Sequence, residues 1–233
     1  MKKYCGWYLI IGVVFTLISI IPANSYAKNN KWFENRSAIG ARASYFMYNN
    51  DDFNVDGLIV DMSPDDSDAF GINYTYIADY YFSFEFSADY IKTDVELSAL
   101  TPGISGNAGE LTQIPVLLTG RFHPYVSSRL TPYFSSGLGY FFNHLESNPD
   151  TAEHLYGPGA NLKMDESPCF YVGGGVEIFF SKNIALNIDF KYIWTQVKGT
   201  VSRLGTADLD GFSEATNLSI NPFAAGMGIK YYF

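Results

Sequence analysis

Cysteine is nearly missing from this chain: Cys5 and Cys169 are the only two in 233 residues. Cys5 lies in the N-terminal segment, so the remainder has a single thiol and no internal disulfide. Histidine is limited to His123, His144 and His154. None of them falls on a strand beside a serine and an acid, as a barrel acyl hydrolase needs, and His144 with Glu146 is an ordinary loop pair. No catalytic residues and no cofactor are therefore expected. Basic residues are outnumbered, 15 against 24 acidic, for a net charge of −9. Without a basic patch, nucleic-acid binding is not expected. Beyond residue 27 no uninterrupted apolar run approaches the roughly 18 residues of a transmembrane helix.

Aromatic residues, by contrast, are abundant: 18 Tyr and 19 Phe, 17% of the chain with Trp included. The chain opens on Lys2 and Lys3, continues through an apolar run from Trp7 to Ile21, and reaches the small-residue pattern Ser25-Tyr26-Ala27. This is the layout of a secretory signal with cleavage after Ala27, leaving residues 28–233 as one domain. Losing Lys2 and Lys3 would take the net charge from −9 to −11. No cysteine follows the cleavage point, so a lipid anchor is not expected.

Period-two alternation predicts eight strands: Ala38–Tyr48, Ala69–Ile77, Tyr81–Ile91, Leu111–His123, Pro132–Asn143, Cys169–Phe180, Ala185–Val197 and Leu218–Phe233. The connections at 78–80, 124–131 and 181–184 are short. Those at 49–68, 92–110, 144–168 and 198–217 are long and polar. Short turns alternating with long loops is the pattern of an antiparallel transmembrane β-barrel of the bacterial outer membrane, with both termini periplasmic and the long loops extracellular. Phe82, Phe84, Phe86, Ala88 and Tyr90 alternate with Ser83, Glu85, Ser87 and Asp89, and Leu186 to Trp194 does the same. A soluble barrel would show this alternation too; the leader, the loop asymmetry and the C-terminus favour the membrane. The C-terminal strand places Ala225, Met227, Ile229, Tyr231 and the terminal Phe233 at every second position. Tyr231, Ile229 and Phe233 are the candidate signal for the barrel assembly machinery.

Five segments resemble the outer membrane protein W (OmpW) family. They are Ile114–His123, Pro132-Tyr133 with Gly137-Leu138-Gly139-Tyr140, Gly173-Gly174-Gly175-Val176-Glu177, Leu186–Tyr192, and Asn221-Pro222-Phe223. Where the family has its first strand glycine after Pro-Tyr, this chain has Ser135 or Ser136. The resemblance implies an eight-stranded outer-membrane barrel involved in passage of small hydrophobic compounds.

Eight strands leave an interior that side chains fill, so a wide aqueous pore is not expected. A lysine or arginine facing lipid at mid-membrane costs roughly 2–4 kcal/mol, which turns Arg42, Lys191 and Lys230 inward. By parity Glu85, Asp89, Glu177 and Asp189 join them, so that Arg42, Glu85, Glu177 and Lys230 form a charged layer near the periplasmic end. Asp89, Asp189 and Lys191 come nearer the middle. Towards the outside the inward set becomes apolar: Phe46, Phe141, Tyr171 and Ile193. Glycines at 137, 139, 173, 175, 226 and 228 would leave room beside them. Two readings stand: an apolar vestibule over a charged plug, with sideways exit of a solute through the wall, or a lumen that is only core, in a structural or adhesive barrel whose loops bind partners. Pro115 and Pro222 each lack an N–H and interrupt a ladder, either as a bulge or as a gate. The expected partners are membrane lipid and lipopolysaccharide, the assembly machinery and small hydrophobic solutes. Asp52–Gly57 reads D-x-N-x-D-G, the opening of a calcium loop, but the twelfth position is Ser63, so a solvated acidic loop is expected and no metal site.

Overall fold

The computed structural model describes residues 33–48, 52–55, 58–99, 105–127, 129–148, 160–203 and 212–233. The N-terminal segment read as a leader lies outside the described residues. Twelve strands are present: β1 (Arg36–Met47), β2 (Asp52–Val55), β3 (Leu58–Pro64), β4 (Ser67–Ile77), β5 (Phe82–Ala99), β6 (Ser105–Phe122), β7 (Leu130–Ser147), β8 (Ala160–Met164), β9 (Ser167–Phe179), β10 (Ile184–Arg203), β11 (Phe212–Ser219) and β12 (Phe223–Tyr232).

Eight of them, in the order β1-β4-β5-β6-β7-β9-β10-β12, form a closed antiparallel barrel. β1 closes on β12 from Ala38–Tyr232 to Met47–Phe223. Closure removes every unpaired strand edge, which an open sheet in lipid could not satisfy. The side chains settle the choice that alternation alone left open. Along β4 and β5 the exposed positions are Phe70, Ile72, Tyr74, Phe82, Phe84 and Phe86, while the alternate, buried ones include Asn73, Thr75, Ser83, Glu85 and Ser87. An apolar outside around a polar inside is the inverse of a soluble barrel and suits a lipid environment.

Each predicted strand overlaps an observed one, but strand extends into all four long connections. β5, β6, β7 and β10 run on past the predicted ends, β2, β3 and β8 arise wholly within the expected loops, and β11 arises mostly within the last of them. Asp52–Val55 is extended and pairs with β3, so the acidic motif is a hairpin arm rather than a loop; Asp56 and Gly57 lie outside the described residues. These extensions were hard to read because both of their faces carry polar residues, as in Lys92-Thr93-Asp94. Beyond the closed part the wall divides into two sheets, β2-β3-β5-β6-β7 and β8-β10-β11. The eighth predicted strand is correspondingly broken at Ile220-Asn221-Pro222, between β11 and β12.

Candidate functional site

Inward side chains sort into three layers. At the end with the short turns, Phe33, Ala38, Ile77, Val126, Phe179, Ala185 and Tyr232 form an apolar cap. Phe33 precedes β1 and is 0% exposed, its ring edge-on to His123 at 5.4 Å and to Phe179 at 6.2 Å. The chain turns into the barrel mouth through Asn35, whose φ is +54°. His123, one residue beyond the end of β6, places its Nε2 2.7 Å from Ser83 Oγ. The pair is buried beneath Phe33. Burial pushes the His123 imidazole down to about 4.

Above the cap lie eight ionised side chains, four of each sign: Arg42, Arg121, Lys191 and Lys230 with Glu85, Asp89, Glu177 and Asp189. All are buried. Lys230 Nζ donates to Glu85 Oε2 at 2.8 Å, to Glu177 Oε1 at 2.9 Å and to Thr75 Oγ1 at 3.0 Å. Arg121 bridges the same two glutamates, at 3.1 Å to Glu177 and through a second nitrogen to Glu85, with its guanidinium 4.3 Å above the Tyr133 ring. Tyr232 OH donates to the other oxygen of Glu177. Arg42 grips Asp89 with two nitrogens, Nε at 2.7 Å, and reaches Glu85 at only 3.5 Å. Lys191 lies 3.3 Å from Asp189, which also accepts from Asn187 Nδ2 at 2.8 Å. All seven charged residues expected in the lumen are in this layer, and Arg42, Glu85, Glu177 and Lys230 are linked to one another as ion pairs. Asp89 is the main partner of Arg42, and the glutamates share Lys230 with Arg121. Arg121 was missed, although its parity with Leu117 and Thr119 and the cost of a lipid-facing arginine would have turned it inward. So many desolvated charges hold together only because each has a partner of opposite sign, and Glu85, Glu177, Arg42, Arg121 and Lys230 have two or more; removing one partner leaves another buried and uncompensated.

The third layer, at the end with the long connections, is apolar. Phe46, Phe141, Tyr171 and Ile193 belong to one buried cluster with Ile91, Leu117, Met164 and Val197 among others. Tyr171 and Ile193 are 0% and Phe141 1% exposed. The inward glycines do not leave the expected room. A Cβ at Gly137 would fall 2.6 Å from the Tyr171 ring, and one at Gly175 2.6 Å from Tyr133 OH. The space is taken by aromatic side chains reaching across from neighbouring strands. A hydrogen-bond chain crosses this layer: Tyr48 OH to Gln113 Oε1 at 2.6 Å, Gln113 Nε2 to Asn143 Oδ1 at 2.8 Å, and Asn143 Nδ2 to the Asp165 carbonyl at 2.9 Å.

The wall is interrupted beside both prolines. The β5–β6 ladder omits Asp89 and Tyr90 opposite Pro115 and Ile114, then resumes in the same register at Ile91–Gln113. At Pro222 the carbonyl still accepts from Ile193 N at 3.0 Å, so contact with β10 is kept. Phe233, Tyr231 and Ile229 lie on the exposed outer face, and the Phe233 backbone is held by Ser37.

None of the curated proteins matches this chain. Among solved structures it is similar to the outer membrane protein OprG of Pseudomonas aeruginosa, at 17% identity with a TM-score of 0.72, covering 86% of this chain and 96% of that one. It is also similar to the outer membrane protein AlkL in lipid bilayers, at 19% identity with a TM-score of 0.59, covering 91% and 97%. Neisserial surface protein A shares the fold at 11% identity and a TM-score of 0.52, covering 86% and 100%. The OmpW family matches residues 38–233, all of the barrel but the first two residues of β1. The chain therefore belongs to the OmpW family and is a β-barrel of the outer-membrane type.

Proposed function

We propose that this barrel carries small hydrophobic molecules inward from the cell surface and releases them sideways into the membrane. The observation that supports this is the layering of the lumen: a continuous apolar cluster at the loop end stops on a layer of eight paired charges. An apolar solute exchanges with side chains of its own polarity in the first layer. In the second it would have to separate ion pairs that are already desolvated, so the axial route is closed to it. In this reading the leader ending at Ala27 is removed on export, both termini and the short turns face the periplasm, and the long connections face outward. Lipid and lipopolysaccharide surround the apolar outer face, and the strand ending at Phe233 is presented to the assembly machinery.

The test is uptake of a hydrophobic fluorescent probe into lipopolysaccharide-coated liposomes containing refolded protein. Wild type should exceed protein-free liposomes. Phe141→Asp, which places a charge in the apolar layer, should fall to background, while the lipid-facing Phe86→Leu should behave as wild type. Equal rates for all three, or none above background, would refute the proposal. The full packing around Phe141, Tyr171 and Ile193 favours a second reading, a structural or adhesive barrel with a filled lumen. That reading gains if shortening the connection at 149–159 abolishes binding to a surface while uptake is unchanged.

A further inference from the structure

The ladder between β7 and β9 ends at Phe141–Ser167, and beyond it the wall forks. β7 continues on β6 as far as Ser147–Gly109, while β8 continues on β10. The outer faces of the two prongs differ in charge. On the first, Asp94, Glu110 and Glu146 stand in one cross-strand row, and the neighbouring Lys92 is taken by Glu110 at 2.8 Å. On the second, Lys163 and Lys198 both face outward. Lys163 is the ladder partner of Thr200, and Asp165 donates its N–H to the Lys198 carbonyl at 2.8 Å, so the two lysines are diagonal neighbours. Diagonal neighbours stand roughly 7–8 Å apart, which lets side chains as long as lysine converge on one group. The Lys163 side chain is 76% exposed and lies 3.5 Å from Asp165, while Lys198 makes no ion pair among the described residues.

What lies below sets the height of these lysines. Phe170 and Trp194 are partners across the β9–β10 ladder, exposed on the outer face with their rings stacked at 5.5 Å, and Tyr192 meets Trp194 edge-on at 4.7 Å. Exposed aromatic rings on a membrane barrel sit where lipid meets water. On that face of β10 only Gln196 separates Trp194 from Lys198, which puts the lysines at the depth of lipid headgroups. Beside Lys163 the fork holds a cavity of about 380 Å³, lined by Tyr140, Asn143, Lys163, Met164, Asp165 and Glu166. Its carboxylates accept from hydroxyl groups, and the exposed Tyr140 offers a ring face. Lysine ammonium groups bind phosphate as point charges. Two cations for a phosphate, a polar cleft beside them and aromatic rings beneath match a phosphorylated sugar carrying acyl chains.

We propose that β8 and β10 hold the headgroup of a phosphorylated glycolipid of the outer leaflet, with Lys163 and Lys198 on its phosphate, Asp165 and Glu166 on its sugar hydroxyls, and its acyl chains over Phe170 and Trp194. This rests on the reading that the long connections face outward. The experiment is native mass spectrometry of the barrel purified in detergent and stripped of lipid, with bisphosphorylated lipid A as the probe. One molecule should bind per barrel. Lys163→Gln combined with Lys198→Gln should weaken binding several-fold, as should removing both phosphates from the probe. Lys92→Gln, on the acidic prong, should bind as wild type. Phosphatidylglycerol, with a phosphate but no sugar, should bind several-fold more weakly, and inorganic phosphate at the same concentration should displace nothing. The site is overturned if the double variant binds as wild type, if Lys92→Gln loses as much, or if the dephosphorylated probe or phosphatidylglycerol binds equally well. Displacement by inorganic phosphate would overturn it too, as the mark of a site for free anions. Orientation is read separately: Asn161→Cys, exposed on β8, should react with a membrane-impermeant maleimide on intact cells. If it reacts only after lysis, the outward reading falls and the glycolipid with it. If it reacts on intact cells while binding fails as above, the site alone is overturned.

Discussion

The two halves of the lumen are built on opposite principles although the same strands make both. Near the short turns, paired charges contributed by β1, β5, β6, β9, β10 and β12 are cross-linked by hydrogen bonds, and the strands around them close into a ring. Towards the long connections the interior is a packed apolar cluster, and the wall parts into two sheets. A buried charge needs partners at fixed distances on several sides, which holds strands in register. Apolar packing is non-directional and tolerates strands that separate. The division of labour is a rigid closed base under a deformable upper part.

That contrast predicts a graded set of responses. Lys230→Met deprives Glu85 and Glu177 of a shared cation and should cost roughly 3–5 kcal/mol in urea unfolding of the detergent-refolded barrel. Adding Glu177→Gln should recover part of it. A loss below about 1 kcal/mol, the size of an exposed pair, would show that water reaches this layer and would dissolve the comparison. Phe141→Ala removes a ring from the apolar layer and should cost about 3 kcal/mol, with greater probe uptake if the cluster is deformable.

His123 sharpens the contrast through pH. Its folded-state value of about 4 lies below the ordinary 6.5, so the folded barrel binds fewer protons than the unfolded chain. The wild type should be fully stable above about 6.5 and lose up to about 3 kcal/mol as the pH falls through 4. His123→Gln, which keeps a partner for Ser83, should lose that part of the pH dependence; parallel profiles for the two proteins would contradict the buried neutral imidazole. Smaller again is Tyr171→Phe, which deletes the hydrogen bond to Thr119 at the junction of the layers and should cost about 1 kcal/mol. Phe233→Ala keeps the backbone bonds to Ser37 and should scarcely change equilibrium stability. It should lower the yield of heat-modifiable protein in the membrane if the terminal aromatic is an assembly signal; an unchanged yield would remove that role.

Much of the base was legible in the sequence. The alternation in β5, β10 and β12, with the cost of charge in lipid, turned Arg42, Glu85, Asp89, Glu177, Asp189, Lys191 and Lys230 to the same side that the structure gives them. The upper part was read less well. Lys92–Ala99 and Ser105–Glu110 looked like loop because polar residues such as Thr93 and Asp94 fall at both parities and blur the apolar alternation that marks a strand, although the ladder continues through them. Phe33 escaped notice because nothing in its local pattern distinguishes a ring that folds back into a barrel mouth from one in a linker.

The sequence by itself determined which residues face inward, since a strand's side chains alternate and lipid penalises one set. It also determined the number of staves, because turn and loop lengths alternate with them. Which charge holds which, whether glycines leave space or admit a neighbour's ring, and where the wall parts were decided only in the closed barrel. Those properties depend on the stagger between strands distant in sequence, which brings Lys230 to Glu85 and Glu177, Tyr171 to Gly137, and Asn143 to Asp165.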